Sequence, residues 1–379
     1  MDASSRRTIR TKDVTLQDIA NHCGVCKATV SLALRESPLI SPPTTARIHA
    51  AAKELGYRPA LQNLARRLAL RKQGVELINH LIALFLPLYA TQANYYYSIF
   101  RGIIDVLTPA GFAVVTIDTF QRTSKHDLPH IFRGGEIDGI IAMQAPFIAP
   151  LLESLCEDSQ LAERPLVSMV LPMPGCSNVM PDVRDGAYQS ARHLLELGHR
   201  HLLHCVFPEV PGQEPQPTNR LEGARQAMRE AGIDPTTHLH IFHIDGCWYS
   251  PDLLQANPEG QSPQAREQGA RLLAYLCAHP EVTAILSLND ANALNAWYTL
   301  EEAGIRVPEE ISIIGFDDTD PMPGDRGKNL LTTVHLPLFE VGQHAAKLIM
   351  QRITGELPED EEQVLPVHLA VRHSTAAAR

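Results

Sequence analysis

From Leu81 onward the chain alternates short apolar runs with amphipathic stretches, and this alternation limits its fold more than any other feature. Strand-like runs occupy Leu81–Leu86, Phe112–Ile117, Ile137–Met143, Leu166–Val170, Leu202–Val206, Leu239–Ile244, Ala284–Leu288 and Ile311–Ile314. Helical spacing fills the gaps, for example at Tyr188–Leu197, Arg220–Ala231 and Ala291–Ala303. Strands that alternate with helices pair in parallel, with helices covering both faces of the sheet. So many strands exceed one small sheet. The expectation is an α/β body of two lobes, each a doubly wound parallel sheet.

The region before Leu81 has a different character. The first 72 residues carry 13 Lys+Arg against 5 Asp+Glu, a balance of +8 in a chain of 379 residues whose net charge is −10. The remainder is therefore strongly acidic. A basic head on an acidic body suits a polyanion contact confined to the head; the plainer reading is a solvated basic face. Three short helices are expected there. The first spans Leu16–His22, with Thr15 as N-cap, Ile19 and Ala20 inward, and Gly24 in the turn that follows. The second spans Lys27–Leu34, burying Val30 and Leu34. The third opens on Ser41-Pro42-Pro43, continues through Ile48, Ala52 and Leu55, and stops at Gly56. A helix, a glycine turn and a second helix is the arrangement that places a helix in the DNA major groove.

At these residues the chain resembles the LacI/GalR (lactose-repressor type) family of transcriptional regulators. The stretch VTLQDIANHCGVCKATVSLAL…SPPTTARIHAAAKELGYRP carries the likeness over about fifty residues. It continues in GGEIDGIIAM, ARHLLELGHRHLLHCVFP, NRLEGARQAMREAGI, AILSLNDANALNAWYTLEEAGIRVPEEISIIGFDD and LTTVHLPLFEVGQHAAKLIMQRITGE. The resemblance implies a helix-turn-helix head (1–58), a hinge (59–76), and a core similar to periplasmic sugar-binding proteins. In that core the first lobe takes 77–181 and 320–354, and the second takes 182–319 and 355–379. The chain would cross between lobes near Asp182, Asp320 and Gly355.

The resemblance also implies roles. Thr15, Leu16, Lys27, Ala28, Thr29, Ser31, Leu32 and Tyr57 fall in the expected DNA interface. Lys27 can donate to guanine or phosphate, Ala28 offers only a methyl group, and Thr29 and Ser31 suit phosphate oxygens. Leu32 stands where the family often has arginine, and Cys26 where a serine usually caps the helix; a thiol is a poorer acceptor there, by about 1 kcal/mol. The hinge, PALQNLARRLALRKQ, contributes Asn63, Leu64, Arg66 and Leu68, and either Leu64 or Leu68 is the lever for the minor groove. Its competing reading is a charged linker helix.

In the cleft, Tyr95, Tyr96, Asp182, Arg220, Trp248, Asn289 and Asp290 are the expected effector contacts: carboxylates and an arginine for hydroxyls, flat rings for sugar faces. Each has a duller alternative. Asp290 can cap the following helix, Arg220 can be a surface residue, and the aromatics can be core or dimer contacts. Asp317 and Asp318 of GFDD read as structural.

Other classes are disfavoured. No run approaches the ~18 apolar residues of a membrane span, and Met1–Lys12 lacks a signal-peptide pattern; a cytoplasmic, nucleoid-associated protein with no membrane partner is expected. Seven dispersed cysteines read as reduced thiols. Cys23-x-x-Cys26 lacks a second ligand pair. Two histidine groups, His199/His201/His204 and His238/His240/His243, lack neighbouring ligands at consistent spacing, so no metal or cofactor is expected. No hydrolase, Walker, zincin or dinucleotide motif is present, and the chain is not expected to be an enzyme. The expected partners are operator DNA, a sugar-like effector and a second copy of the chain. An activator has the same parts; a sugar-binding protein without regulation would lack the basic head.

Overall fold

The computed structural model describes residues 14–34, 37, 39–57, 78–86, 93–119, 128, 130–132, 136–143, 151, 164–206, 219–244, 263–322, 324, 328–357 and 360–379. The chain divides into two compact units, Met1–Ile78 and Asn79–Arg379.

Among the described residues, the first unit holds three helices, α1 (Leu16–Cys23), α2 (Lys27–Ala33) and α3 (Pro42–Glu54). Thr15 caps α1 in a reciprocal capping box with Asp18, and Gly24 closes the helix in a left-handed conformation at φ 64°. The core is small-residue-rich: Ile19, Ala20, Val30, Ala33, Ile48, Ala51 and Ala52 are buried, with Leu34 packed at the margin. So few large side chains make this unit one of low intrinsic stability, and its caps therefore matter. They are incomplete. Cys26 stands at the N-cap of α2 with no side-chain bond to the backbone, its sulfur instead 3.1 Å from the Thr29 hydroxyl. Ser41 stands at the N-cap of α3 but pairs with the Thr44 hydroxyl.

The second unit contains two six-stranded sheets. Its strands are β1 (Leu81–Leu86), β2 (Ala113–Asp118), β3 (Gly139–Met143), β4 (Leu166–Met169), β5 (Ser177–Pro181), β6 (His201–Val206), β7 (Leu239–His243), β8 (Val282–Leu286), β9 (Ser312–Asp317), β10 (Thr332–His335), β11 (Glu362–Leu365) and β12 (His368–Ala370). Its helices are α4 (Ala93–Leu107), α5 (Val183–Glu196), α6 (Asn219–Glu230), α7 (Pro235–His238), α8 (Pro263–Ala278), α9 (Asp290–Glu302) and α10 (Leu338–Thr354). The first sheet runs β2-β1-β3-β4-β5-β11 and the second β7-β6-β8-β9-β10-β12. All pairings are parallel except β10 with β12. The fold is α/β and doubly wound, as the strand–helix alternation requires. The central strands β1, β3 and β9 are buried almost end to end, which is why they read as continuous apolar runs.

The crossings between sheets differ from the expectation in two of three places. The first lies at Asp182, between β5 and α5. The second lies at Leu336–Pro337 rather than near Asp320, because β10 pairs with β9 and keeps residues 332–335 in the second sheet. The third lies at Pro366–Val367 rather than near Gly355, because β11 pairs with β5 and completes the first sheet. Only α10 and β11 return to the first lobe. Helix α10 buries Leu338, Val341, Ala345 and Ile349 among side chains of α4 and the first sheet. A Cβ on Gly342 would collide with the Ile99 carbonyl of α4, so the approach of these helices requires glycine there.

Candidate nucleic-acid interface and ligand cleft

In the first unit, the start of α2 is the open surface. Lys27 and Ala28 are exposed, while Thr29, Ser31 and Leu32 are half-buried. Thr29 is engaged by Cys26, which holds the Cys26 thiol below its ordinary pKa through hydrogen bonding. Thr15 is committed to the cap of α1, and Leu16 and Tyr57 pack on the core. Burial raises the Tyr57 phenol pKa. The geometry therefore leaves a lysine and a methyl group at the tip of the second helix, flanked by hydroxyls. That surface can donate to phosphates and to one base edge. Asn63, Leu64, Arg66 and Leu68 lie outside the described residues.

In the second unit, a group of polar side chains gathers where β6, β8 and β9 end. Arg220, in the first turn of α6, lies 3.6 Å over the Phe316 ring, donates to the Leu288 carbonyl at 2.6 Å and stands 4.0 Å from Asp317 Oδ1. Stacking and ion pairing hold the guanidinium plane in one orientation. Asp317 is buried with a positive φ of 103°, a strained backbone for a non-glycine residue. Burial and the neighbouring Asp290 and Asp320 raise its pKa well above the ordinary carboxylate range despite Arg220. Tyr95, from α4 in the first lobe, feels Asp317 and Arg220 directly, and its phenol pKa is raised by burial and by Asp317. Asn94 Nδ2 reaches the Thr319 carbonyl at 3.1 Å. These contacts bring α4 to the ends of the second sheet, so the group lies between the two lobes.

Asp290 is the first residue of α9, and it is completely buried. Its Oδ2 accepts from the backbone N–H groups of Thr319 at 2.8 Å and Asp320 at 3.2 Å, and its Oδ1 from the Thr333 hydroxyl. Burial outweighs these bonds and pushes its pKa up to about 7. Gly315 makes the room: a Cβ there would strike Asp290 Oδ1. The capping role falls to Asn289, whose side chain accepts from the Asn292 N–H at 2.9 Å. Beside them His204 is buried, its pKa pushed down to about 4, so it stays neutral. It lines one small hollow with Arg220, Ser287, Gly315 and Phe316. Ser287 and Asn292 line a second hollow with Gln268 and Asn295. Ser287 Oγ and both amide atoms of Asn292 are buried without a hydrogen-bond partner among the described residues. Such atoms are suited to meet hydroxyls.

Two family models match the chain. Bacterial regulatory proteins of the lacI family match residues 15–60, and the periplasmic binding protein-like domain matches residues 191–375. Over its first 60 residues the chain is similar to the lacI family of bacterial regulatory proteins, and over much of the rest to periplasmic binding proteins. Among curated relatives, the HTH-type transcriptional regulator CelR of Thermobifida fusca is 29% identical over 374 residues, covering 96% of this chain and 99% of CelR. Among solved structures, a LacI family regulator from Enterococcus faecium with bound ribose is 28% identical with a TM-score of 0.61, covering 79% of this chain and 100% of that one. The lac repressor dimer bound to operator and anti-inducer shares the fold, at 22% identity and a TM-score of 0.67, covering 97% of this chain and 100% of that one. Among the described residues, no helix is long and apolar enough to cross a membrane.

The expected cleft residues separate. Tyr95, Arg220, Asn289 and Asp290 converge. Tyr95 and Tyr96 are both buried in the first-lobe core, their rings 5.7 Å apart and edge-on. Asp182 caps α5 by accepting from the Asp185 N–H at 2.9 Å. Trp248 lies outside the described residues. Three features correct the sequence reading. Asn289, not Asp290, caps α9. Asp290 spends its carboxylate on the 319–320 backbone and Thr333. Asp317, read as structural alone, is the ion-pair partner of Arg220. Asp318 does hold structure, binding Arg372 at 2.8 Å and His335 at 3.2 Å. His204, Ser287, Asn292 and Phe316 were missed. Only their positions, within β6 and β9, just after β8, or in the first turn of α9, offered a signal.

Proposed function

We propose that this chain is a ligand-responsive repressor that reads a near-palindromic operator as a two-fold dimer. Each head, residues 1–58, would present α2 to the major groove, with Lys27 as the principal donor, and the hinge, 59–76, would meet the minor groove. The body, 77–379, would dimerise and carry the effector cleft. The observation that carries this reading is the pairing of a basic helix-turn-helix with a two-sheet body whose interlobe residues include a stacked, oriented arginine. A ligand bridging Tyr95 and Arg220 touches both lobes, so it binds the two relative lobe orientations with different affinity and shifts their populations. No step requires chemistry on the ligand, and we read the chain as a regulator without catalytic activity, acting in the cytoplasm.

The cleft's charge limits the ligand. Asp290, Asp317 and Asp320 all have pKa values raised by burial, and the Arg220 guanidinium stands beside Asp317. An anionic ligand would add charge to a site already resisting it. A neutral polyhydroxylated molecule, such as a sugar, fits: its hydroxyls can donate to carboxylates and accept from Arg220. The test has two arms. Full-length protein is titrated against DNA upstream of its own gene, at low and then rising salt. Specific retention with a steep salt slope is expected; absence of retention at low salt, with and without ligands, would sink the reading. Thermal shift against neutral sugars and their phosphates should favour the neutral forms, and a uniform preference for phosphates would overturn the charge argument.

A further inference from the structure

We propose that the opposite end of the second sheet holds a divalent transition-metal site of the zinc class, with His201, His240 and Glu281 as ligands. Their donor atoms all lie within 4.8 Å of one another. They come from three adjacent strands in the order β7-β6-β8: His240 near the start of β7, His201 at the start of β6, and Glu281 immediately before β8. The site is separate from the effector cleft. His204, which lines the cleft, lies three residues further along β6, roughly 10 Å at strand rise.

The distances suit a small cation. With Zn–N and Zn–O bonds near 2.1 Å, the edge of a tetrahedral donor set is about 3.4 Å. His201 Nδ1 and His240 Nε2 stand 3.2 Å apart, and His240 Nε2 and Glu281 Oε1 3.8 Å. Glu281 is exposed, so a small shift of its side chain can close the remaining edge. Two imidazoles and one carboxylate with an open fourth position form a donor set for zinc, nickel, cobalt or copper rather than for calcium or magnesium.

The surroundings orient these donors. Tyr275 OH lies 3.3 Å from His240 Nδ1, which leaves Nε2 to face the site. His279 Nδ1 lies 3.2 Å from Glu281 Oε1 and steers the carboxylate. Outer partners of this kind are typical of metal-binding histidines. His238 stacks on His201 with ring centroids 4.5 Å apart, and His279 meets His240 at 5.0 Å. A histidine–histidine hydrogen bond explains the 3.2 Å contact alone; it does not explain a carboxylate aimed at the same nitrogen. The sequence hid this set because it splits across two histidine groups and a distant glutamate, and only the β6–β7 and β6–β8 pairings join them.

The experiment uses untagged, chelator-stripped full-length protein titrated with Co2+ and Zn2+. One equivalent should bind, with Co2+ giving visible d–d bands and no near-ultraviolet thiolate charge-transfer band, and Zn2+ should raise the melting temperature. The His201→Gln/His240→Gln variant should bind at least tenfold more weakly and lose the melting shift. Glu281→Gln, at an exposed position that the fold tolerates, should also weaken binding about tenfold. A thiolate band accounting for the bound Co2+ would assign the metal to cysteines and overturn the proposal. So would unchanged affinity and stoichiometry in Glu281→Gln, or no saturable binding by the wild type.

Discussion

Replacing Asp290 with alanine separates a ligand contact from a structural tie. In the structure its carboxylate accepts from the Thr319 and Asp320 N–H groups and from the buried Thr333 hydroxyl. A buried donor left without an acceptor costs about 1–3 kcal/mol. Thr333 is fully buried, whereas Thr319 and Asp320 are half-exposed and can be partly rehydrated, so the loss comes to about 3 kcal/mol. Protonation modulates it. Burial moves the carboxyl from its ordinary 3.8 to about 7, a difference worth up to about 4 kcal/mol between its two protonation states. Because the folded-state pKa is raised, the stabilisation is full below about pH 4 and fades as pH rises through 7. The penalty of Asp290→Ala should therefore be about 3 kcal/mol at pH 4, about half that at pH 5, and cancelled or reversed by pH 8. Calorimetric melting of wild type and variant at pH 4, 5, 6, 7 and 8 reads this directly, with a shift of about 5–10 °C at pH 4. Asp317 and Asp320 also titrate upward, but they are present in both proteins and largely cancel in the difference. An unchanged melting temperature at pH 4, or a penalty that grows toward pH 8, would refute the reasoning.

Further outcomes follow from the same geometry. Cys26→Ser should restore a hydroxyl cap to α2 and raise the stability of the head by about 1 kcal/mol, measured by chemical denaturation of the head transition; no change would mean the Thr29 contact already serves as the cap. Lys27→Ala should weaken operator binding by about 1–3 kcal/mol if it reads a base, or reduce the salt slope by about 1 if it meets a phosphate, and fluorescence anisotropy across salt concentrations distinguishes the two. Arg220→Lys should abolish the ligand-induced melting shift while DNA binding stays measurable, because an ammonium cannot keep the flat stack on Phe316 and the fork toward Asp317. Gly342→Ala should lower the melting temperature of the body by forcing α10 away from the Ile99 carbonyl, and a neutral effect would contradict the packing described.

Sequence showed the parts of this protein better than their assembly. The run at Leu81 announced a strand because burial on both faces demands unbroken apolar side chains. Residues Ser177–Pro181, Thr332–His335, Glu362–Leu365 and His368–Ala370 did not, since short strands with polar or exposed positions are fixed by neighbours rather than by their own pattern. Missing β10 and β11 is what displaced the two crossings. Asn289 could be placed from the end of the preceding strand, and Arg220 from its Arg-Leu-x-Gly pattern. The cleft was not legible for Asp317 or Ser287, whose roles depend on a side chain arriving from elsewhere. Asp290 illustrates the limit: only the fold shows Gly315 opening a slot that turns the carboxylate inward.

The crossing at Pro366–Val367 has a consequence for how the chain is made. The first lobe starts at β1 yet is completed only by α10 and β11, after every long strand of the second lobe has been synthesised. Its apolar β5 edge and the exposed face of α4 must wait for partners more than 150 residues downstream. Contacts so distant in sequence form slowly. During synthesis the nearly contiguous second lobe can mature first, while the first lobe remains a half-built sheet with an open edge, the species of this protein most in need of chaperone protection.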